Sequence, residues 1–123
     1  MSNSMVVTLV GENVVFEQRL TEKQVKTFLD IVVLAILNGR PMHGYQIIAA
    51  VHKEFGILLS PGSLYPLLHA LDSNRLVESR AYKGKTVYQV TLEGKEKFER
   101  KMAAYKFSVQ TITNFLKTRG ENP

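Results

Sequence analysis

The residue types best suited to chemistry gather in two short stretches. Ser60, Gly62, Ser63, Tyr65, Pro66 and His69 fall within ten positions, and Arg80, Lys83, Gly84 and Lys85 fall within six, with Tyr82 among them and Tyr88 just beyond. The first group offers hydroxyl, phenol and imidazole hydrogen-bonding groups without a carboxylate. Such a set suits the base edges of a DNA major groove, about 12 Å wide. The second group offers cations that neutralise phosphates, and a glycine that allows close approach to a backbone.

Catalytic chemistry is poorly provided for. His43, His52 and His69 are nine and seventeen positions apart, unlike the adjacent-turn pairs that bind metals. There is no Gly-rich phosphate loop and no nucleophile elbow. With no cysteine in the chain, disulfides, thiolate zinc sites and cysteine nucleophiles are excluded together. No enzyme activity, metal or cofactor is expected.

For the first stretch to present its groups it must be a helix, and its signals are strong. Ser60 is a good N-cap and Pro61 a good first helical residue. At 100° per residue, Leu64, Leu67, Leu68 and Leu71 cluster on one side. Gly62, Pro66, His69 and Ser73 fall opposite, with Tyr65 and Ser63 on the flanks and Asp72 at the core-side margin. The helix should run from Pro61 to about Ser73, with Asn74 as the left-handed residue that turns the chain. Pro66 inside it removes a backbone bond, which suggests a special conformation. The basic stretch reads as the tip of a hairpin, with strands over Leu76 to Tyr82 and Thr86 to Thr91 around Lys83-Gly84-Lys85.

Upstream, Thr21 with Gln24 resembles a capping box, and Val25, Phe28, Leu29, Val32, Ile36 and Leu37 recur at helical spacing. A helix from Thr21 to Asn38 is expected. A second should span about His43 to Phe55, ended by Gly56. Ile57 to Leu59 could form an edge strand, and Met5 to Glu17 reads as two short strands around Gly11-Glu12-Asn13. After Thr91, a possible N-cap, a helix should continue to about Thr118. There Phe98, Met102, Tyr105, Val109, Ile112 and Leu116 are spaced four, three, four, three, four, a heptad seam.

The expected fold is α+β and mostly helical, a winged helix-turn-helix with a long C-terminal dimerisation helix. Residues 1–20 form an extension, 21–91 the winged helix, 92–118 the dimerisation helix and 119–123 a tail. The 123 residues, with 45% hydrophobic, suit a single domain. Their net charge of +5 permits a nucleic-acid partner. The longest apolar run, Ile31 to Leu37, is far short of the roughly 20 residues that span a bilayer. A cytoplasmic protein with no membrane partner is expected.

Particular runs of residues resemble the PadR-type regulators. They are His43-Gly44-Tyr45-Gln46-Ile47, Gly62-Ser63-Leu64-Tyr65-Pro66-Leu67-Leu68 with Leu71, Leu76-Val77-Glu78, and Tyr88-Gln89-Val90-Thr91-Leu92-Glu93-Gly94. The Leu-Tyr-Pro core is the most specific of these, and together they cover about Val32 to Phe98. The resemblance implies a winged helix that dimerises through its C-terminal helix, usually helped by the N-terminal one, and acts mostly as a transcriptional repressor. By position, Ser63, Tyr65 and His69 would belong to the recognition helix, Lys83 and Lys85 to the wing, and Tyr45 to the helix approaching the DNA backbone. Asn74 and Arg75 depart from the pattern, standing where the family commonly has Lys-Gly. The N-terminal extension and the single C-terminal helix depart from it as well.

The partners expected are therefore double-stranded DNA and a second copy of the chain, the latter through Phe98, Met102, Tyr105, Val109, Ile112, Leu116 and Phe28. The alternative for the apolar seam is coverage by the first helix of the same chain. Some members of the family bind aromatic compounds at the dimer interface, and Phe28, Tyr105, Phe107 and Phe115 could line a site for a small aromatic effector. Two rival functions stay open: a winged helix that binds proteins rather than DNA, and a weakly specific chromatin-like DNA binder.

Overall fold

The structure, a computed structural model, describes the backbone of residues 3–121 and the side chains of residues 11–120. Of the tail expected over 119–123, residues 119–121 belong to the last helix, and residues 122–123 lie outside the described residues. The order of elements is α1 (Asn3–Thr27), α2 (Leu29–Gly39), β1 (Met42–His43), α3 (Gly44–Phe55), α4 (Pro61–Ser73), β2 (Val77–Tyr82), β3 (Lys85–Val90) and α5 (Leu92–Glu121).

The N-terminal hairpin expected over Met5 to Glu17 is a helix instead, part of α1. Its residues of strand preference misled the pattern because they serve no core: Val14, Val15 and Phe16 are all more than half exposed. The helix expected to begin at Thr21 therefore begins far upstream. Thr21 caps nothing, and its hydroxyl donates to the Glu17 carbonyl of the preceding turn (2.8 Å). The apolar periodicity was sound but is split between α1 and α2. Phe28 sits at the join with φ −108° and ψ 31°. Backbone bonds from Phe28 N–H to Gln24 and from Val32 N–H to Phe28 carry the ladder through, so the join is a bend.

The core is built where α2, α3 and α4 converge. Val33, Leu34, Leu37, Ile47, Val51, Leu64 and Leu68 are essentially inaccessible, and burying each such side chain stabilises the fold by about 1.5–3 kcal/mol. Gly56 ends α3 in the left-handed region (φ 70°), as its position after Phe55 suggested. Ile57 to Leu59 form no strand. Ile57 and Leu59 are buried while Leu58 is 79% exposed, so the stretch alternates like a strand without pairing. The third place in the sheet belongs to β1, and the order is β1-β3-β2, antiparallel throughout.

Register sorts the sheet into two faces, because residues paired directly across strands point the same way. Met42 pairs with Tyr88, Tyr88 with Ser79, and Val77 with Val90; these face the helices. His43 pairs with Val87, Val87 with Arg80, and Tyr82 with Lys85; these face outward.

The end of α4 differs in one detail. Asn74 is not left-handed (φ −88°); Arg75 is, at φ 62°. A non-glycine residue thus occupies the backbone region for which the family's usual glycine is suited. The joint from hairpin to α5 explains the Thr-Leu-Glu-Gly motif. The Thr91 hydroxyl donates to the Arg75 carbonyl (2.7 Å) and accepts from Gly94 N–H (3.0 Å), capping α5. Gly94 is buried so close to the Leu76 carbonyl that no Cβ would fit, and a Cβ there would also lie 2.8 Å from Val90 Cγ2.

Candidate nucleic-acid interface

α4 places its polar residues as its spacing required. Leu64, Leu68 and Leu71 are buried, while Gly62, Ser63, Tyr65, Pro66, His69 and Ser73 are exposed. Ser60 caps the helix, its Oγ accepting from Ser63 N–H at 3.2 Å and donating to Ser63 Oγ at 3.0 Å. This leaves the Ser63 hydroxyl proton to be donated outward. Pro66 does not interrupt α4, which is continuous from Pro61 to Ser73. Having no N–H, it leaves the Gly62 carbonyl without its usual intrahelical partner, on the exposed side where water or a ligand can use it.

Tyr65 has a second role that spacing did not reveal. Its hydroxyl lies where a Cβ on residue 44 would stand, with its Cζ 2.6 Å from that position. Gly44 at the start of α3 is thus the slot for Tyr65, and the two helices of the helix-turn-helix lock there. The Gly-Tyr and Leu-Tyr-Pro motifs meet at this contact, with Tyr45 next to it, 66% exposed. Asp72 is half-buried and accepts a hydrogen bond from Ser79 Oγ (2.9 Å), tying α4 to the hairpin. Burial, then the neighbouring Tyr65 and Asp72, raise the Tyr88 phenol above its ordinary pKa of 10.0, keeping it neutral near physiological pH.

The hairpin turn is made by Lys83 and Gly84, both at positive φ (50° and 76°). That pairing is the two-residue turn whose twist matches flanking strands. Arg80, Lys83 and Lys85 are exposed, and the Lys83 ammonium lies 5.3 Å from the centre of the Tyr82 ring. The outer face of the sheet continues into a cleft of about 480 Å³ whose other wall is Arg40, Pro41, His43 and Gln46. Sequence reasoning missed Arg40 and His43. An arginine between two helices carries no periodic signal, and a two-residue strand is too short to register as one.

The residues expected at a subunit interface are divided. Phe98 packs partly against the chain's own core. Phe28 and Tyr105 meet edge to face, ring centres 4.3 Å apart, and line a cavity of about 600 Å³ with Leu67, Lys101, Ser63 and Ser108. Lys101 forms an ion pair with Asp30 across the same region. Phe107 and Phe115, suggested for the same pocket, are 72% and 58% exposed and do not line it. Met102, Val109, Ile112 and Leu116 stay exposed along one side of α5, at 42–62%.

Helix, strand, two helices and a hairpin, with a carboxylate-free helix face beside a cationic turn, define a winged helix-turn-helix protein of the DNA-binding class. Residues 33–100 match the transcriptional regulator PadR-like family, and the chain belongs to it. A PadR family transcriptional regulator from Eggerthella lenta is similar in structure, with TM-score 0.73 and 25% identity over 91% of this chain and 96% of its own. A transcriptional regulator of Thermoplasma acidophilum, described as putative, gives 0.64 and 30% over 78% and 97%. In sequence, 71 residues (57% of this chain) are 39% identical to an uncharacterized 37.1 kDa protein of a Streptomyces fradiae transposon, of whose length the chain spans 21%.

Proposed function

We propose that the chain binds specific sites on double-stranded DNA as a homodimer and represses transcription from them by excluding polymerase. The observation that carries this reading is the outward face of α4, free of acidic residues and set beside the uncompensated cations of the β2–β3 turn. α4 is the recognition helix, with Ser63, Tyr65 and His69 toward base edges. Ser60, Gly62, Pro66 and Gly84 allow close approach, and Tyr45, Arg80, Lys83 and Lys85 hold flanking phosphates. The exposed side of α5 supports a second copy as partner, since a helix with this many large apolar side chains in water is poorly soluble alone. A dimer presents two recognition helices about 34 Å apart, so the operator is near-palindromic.

The cavity against Phe28 and Tyr105 suits a small aromatic effector in volume and lining. No catalytic role is assigned, and the regulator acts in the cytoplasm; no helix among the described residues is long and apolar enough to cross a membrane.

The roles divide in a testable way. His69→Ala should lower the preference for operator over random duplex by about tenfold, while Lys83→Ala with Lys85→Ala should weaken both duplexes equally and reduce the salt slope by about four, two for each subunit. Equal loss of discrimination from both variants would contradict the division. A wild-type chain that binds no duplex would contradict the function and favour a protein-binding winged helix.

A further inference from the structure

We infer that Arg40 closes a phosphate clamp opposite the wing, so that the cleft between the α2–α3 linker and the outer sheet face holds one backbone phosphodiester of bound DNA. This rests on the DNA-binding reading above and adds to it a second wall, contributed by residues outside both the recognition helix and the hairpin.

The cleft is enclosed on three sides. Arg40 and Pro41 come from the linker, His43 and Gln46 from β1 and the first turn of α3, and Arg80, Tyr82, Lys83 and Lys85 from the hairpin. Register explains the convergence: His43, Val87 and Arg80 form one row across the three strands, and Tyr82 and Lys85 form another on the same face. Arg40 reaches this face because the residue is fully extended (φ −171°, ψ 157°) as α2 ends. Four cations and an imidazole therefore line about 480 Å³ without a single carboxylate.

No carboxylate among the described residues forms an ion pair with them. Among the described residues the ion pairs are Lys26 with Glu22 and Lys101 with Asp30, both elsewhere. The nearest acid on the same sheet face, Glu78, points outward two positions before Arg80 and does not line the cleft. Like charges held together repel, and a bound anion removes that repulsion. A phosphodiester suits the cleft because guanidinium groups on opposite walls can each engage its non-bridging oxygens, and because the wing that forms one wall is the element the DNA-binding reading sets against phosphates. The cleft also includes Gln46 of the first turn of α3, the helix whose Tyr45 the proposed function sets against the DNA backbone.

The test uses the full chain with an operator duplex and a random duplex, titrated from 50 to 200 mM salt. Arg40→Gln should weaken both by the same factor, about tenfold at the lower salt, and reduce the salt slope by about two, one for each subunit of the dimer. Arg40→Lys should restore the slope while recovering only part of the affinity. Operators carrying single neutral methylphosphonates should then reveal one position in each half-site where wild type is weakened and Arg40→Gln loses nothing more. An unchanged slope in Arg40→Gln, or the absence of any such position, would overturn the clamp while leaving DNA binding intact. A phosphorus resonance shift of inorganic phosphate that saturates in wild type and vanishes in Arg40→Gln, with duplex binding unaltered, would assign the cleft to free phosphate and also overturn it. Failure of wild type to bind any duplex would remove the function and the clamp together.

Discussion

Val109→Glu is expected to convert the proposed dimer to monomers and to weaken operator binding by about a hundredfold or more, the avidity lost when two half-sites are no longer engaged together. The reason lies in where α5 leaves its own core. Phe98 packs on the core and Tyr105 on Phe28, but Val109, Ile112 and Leu116 continue the same stripe and stay exposed at 44%, 56% and 62% among the described residues. Four-three spacing places these residues on one seam, so a partner helix meets all of them at once. A glutamate in that seam would bury an unpaired charge, which costs several kcal/mol. Phe107 supplies the control. It is larger and more exposed, at 72%, but lies about half a turn from the seam, so Phe107→Glu should leave the dimer intact. Sedimentation velocity distinguishes the two. A Val109→Glu protein that still sediments as a dimer would place the interface elsewhere.

The second large effect is at Gly94. Gly94→Ala should lower stability by about 1–3 kcal/mol, read as a drop of several degrees in thermal midpoint, because the added methyl meets the Leu76 carbonyl and Val90. A backbone oxygen cannot rotate away as a side chain can. That carbonyl also accepts from Thr91 N–H (3.0 Å), so relief of the clash would loosen the joint by which α5 leaves the hairpin. The same substitution at Gly11, within α1 and with nothing within 4 Å of a Cβ, should leave stability unchanged or raise it by up to about 1 kcal/mol through helix propensity. Equal effects at both positions would show that crowding at Gly94 is not what the glycine serves.

Particular residues show which parts of this structure were legible in the sequence. α4 was readable to its ends because Ser60 and Pro61 specify a helix start chemically and the leucines specify a buried side. The hairpin was readable because Gly84 tolerates the positive φ its turn needs between two runs of β-formers. α1 was not readable. Val14, Val15 and Phe16 favour strands intrinsically, and the helix holds them on a surface where packing within the chain does not explain them. The bend at Phe28 carries no glycine or proline, and only its contact with Tyr105 distinguishes that position. At the candidate interface, residues identified by face were placed as expected, whereas those that depend on three-dimensional convergence were invisible. Tyr65 looked like a flank residue until Gly44 met it. Arg40 carries no signal in the sequence and gains its place only because β1 brings the linker against the wing.

The most direct measurement is selection of bound duplexes from a random pool by the full chain, followed by sequencing. A near-palindromic motif with half-sites about one helical turn, roughly 34 Å, apart is the result that a dimeric, sequence-reading winged helix predicts. Salt-sensitive retention of duplexes with no enriched motif would contradict sequence-specific regulation and point to a chromatin-like binder. Retention of none would contradict DNA binding itself.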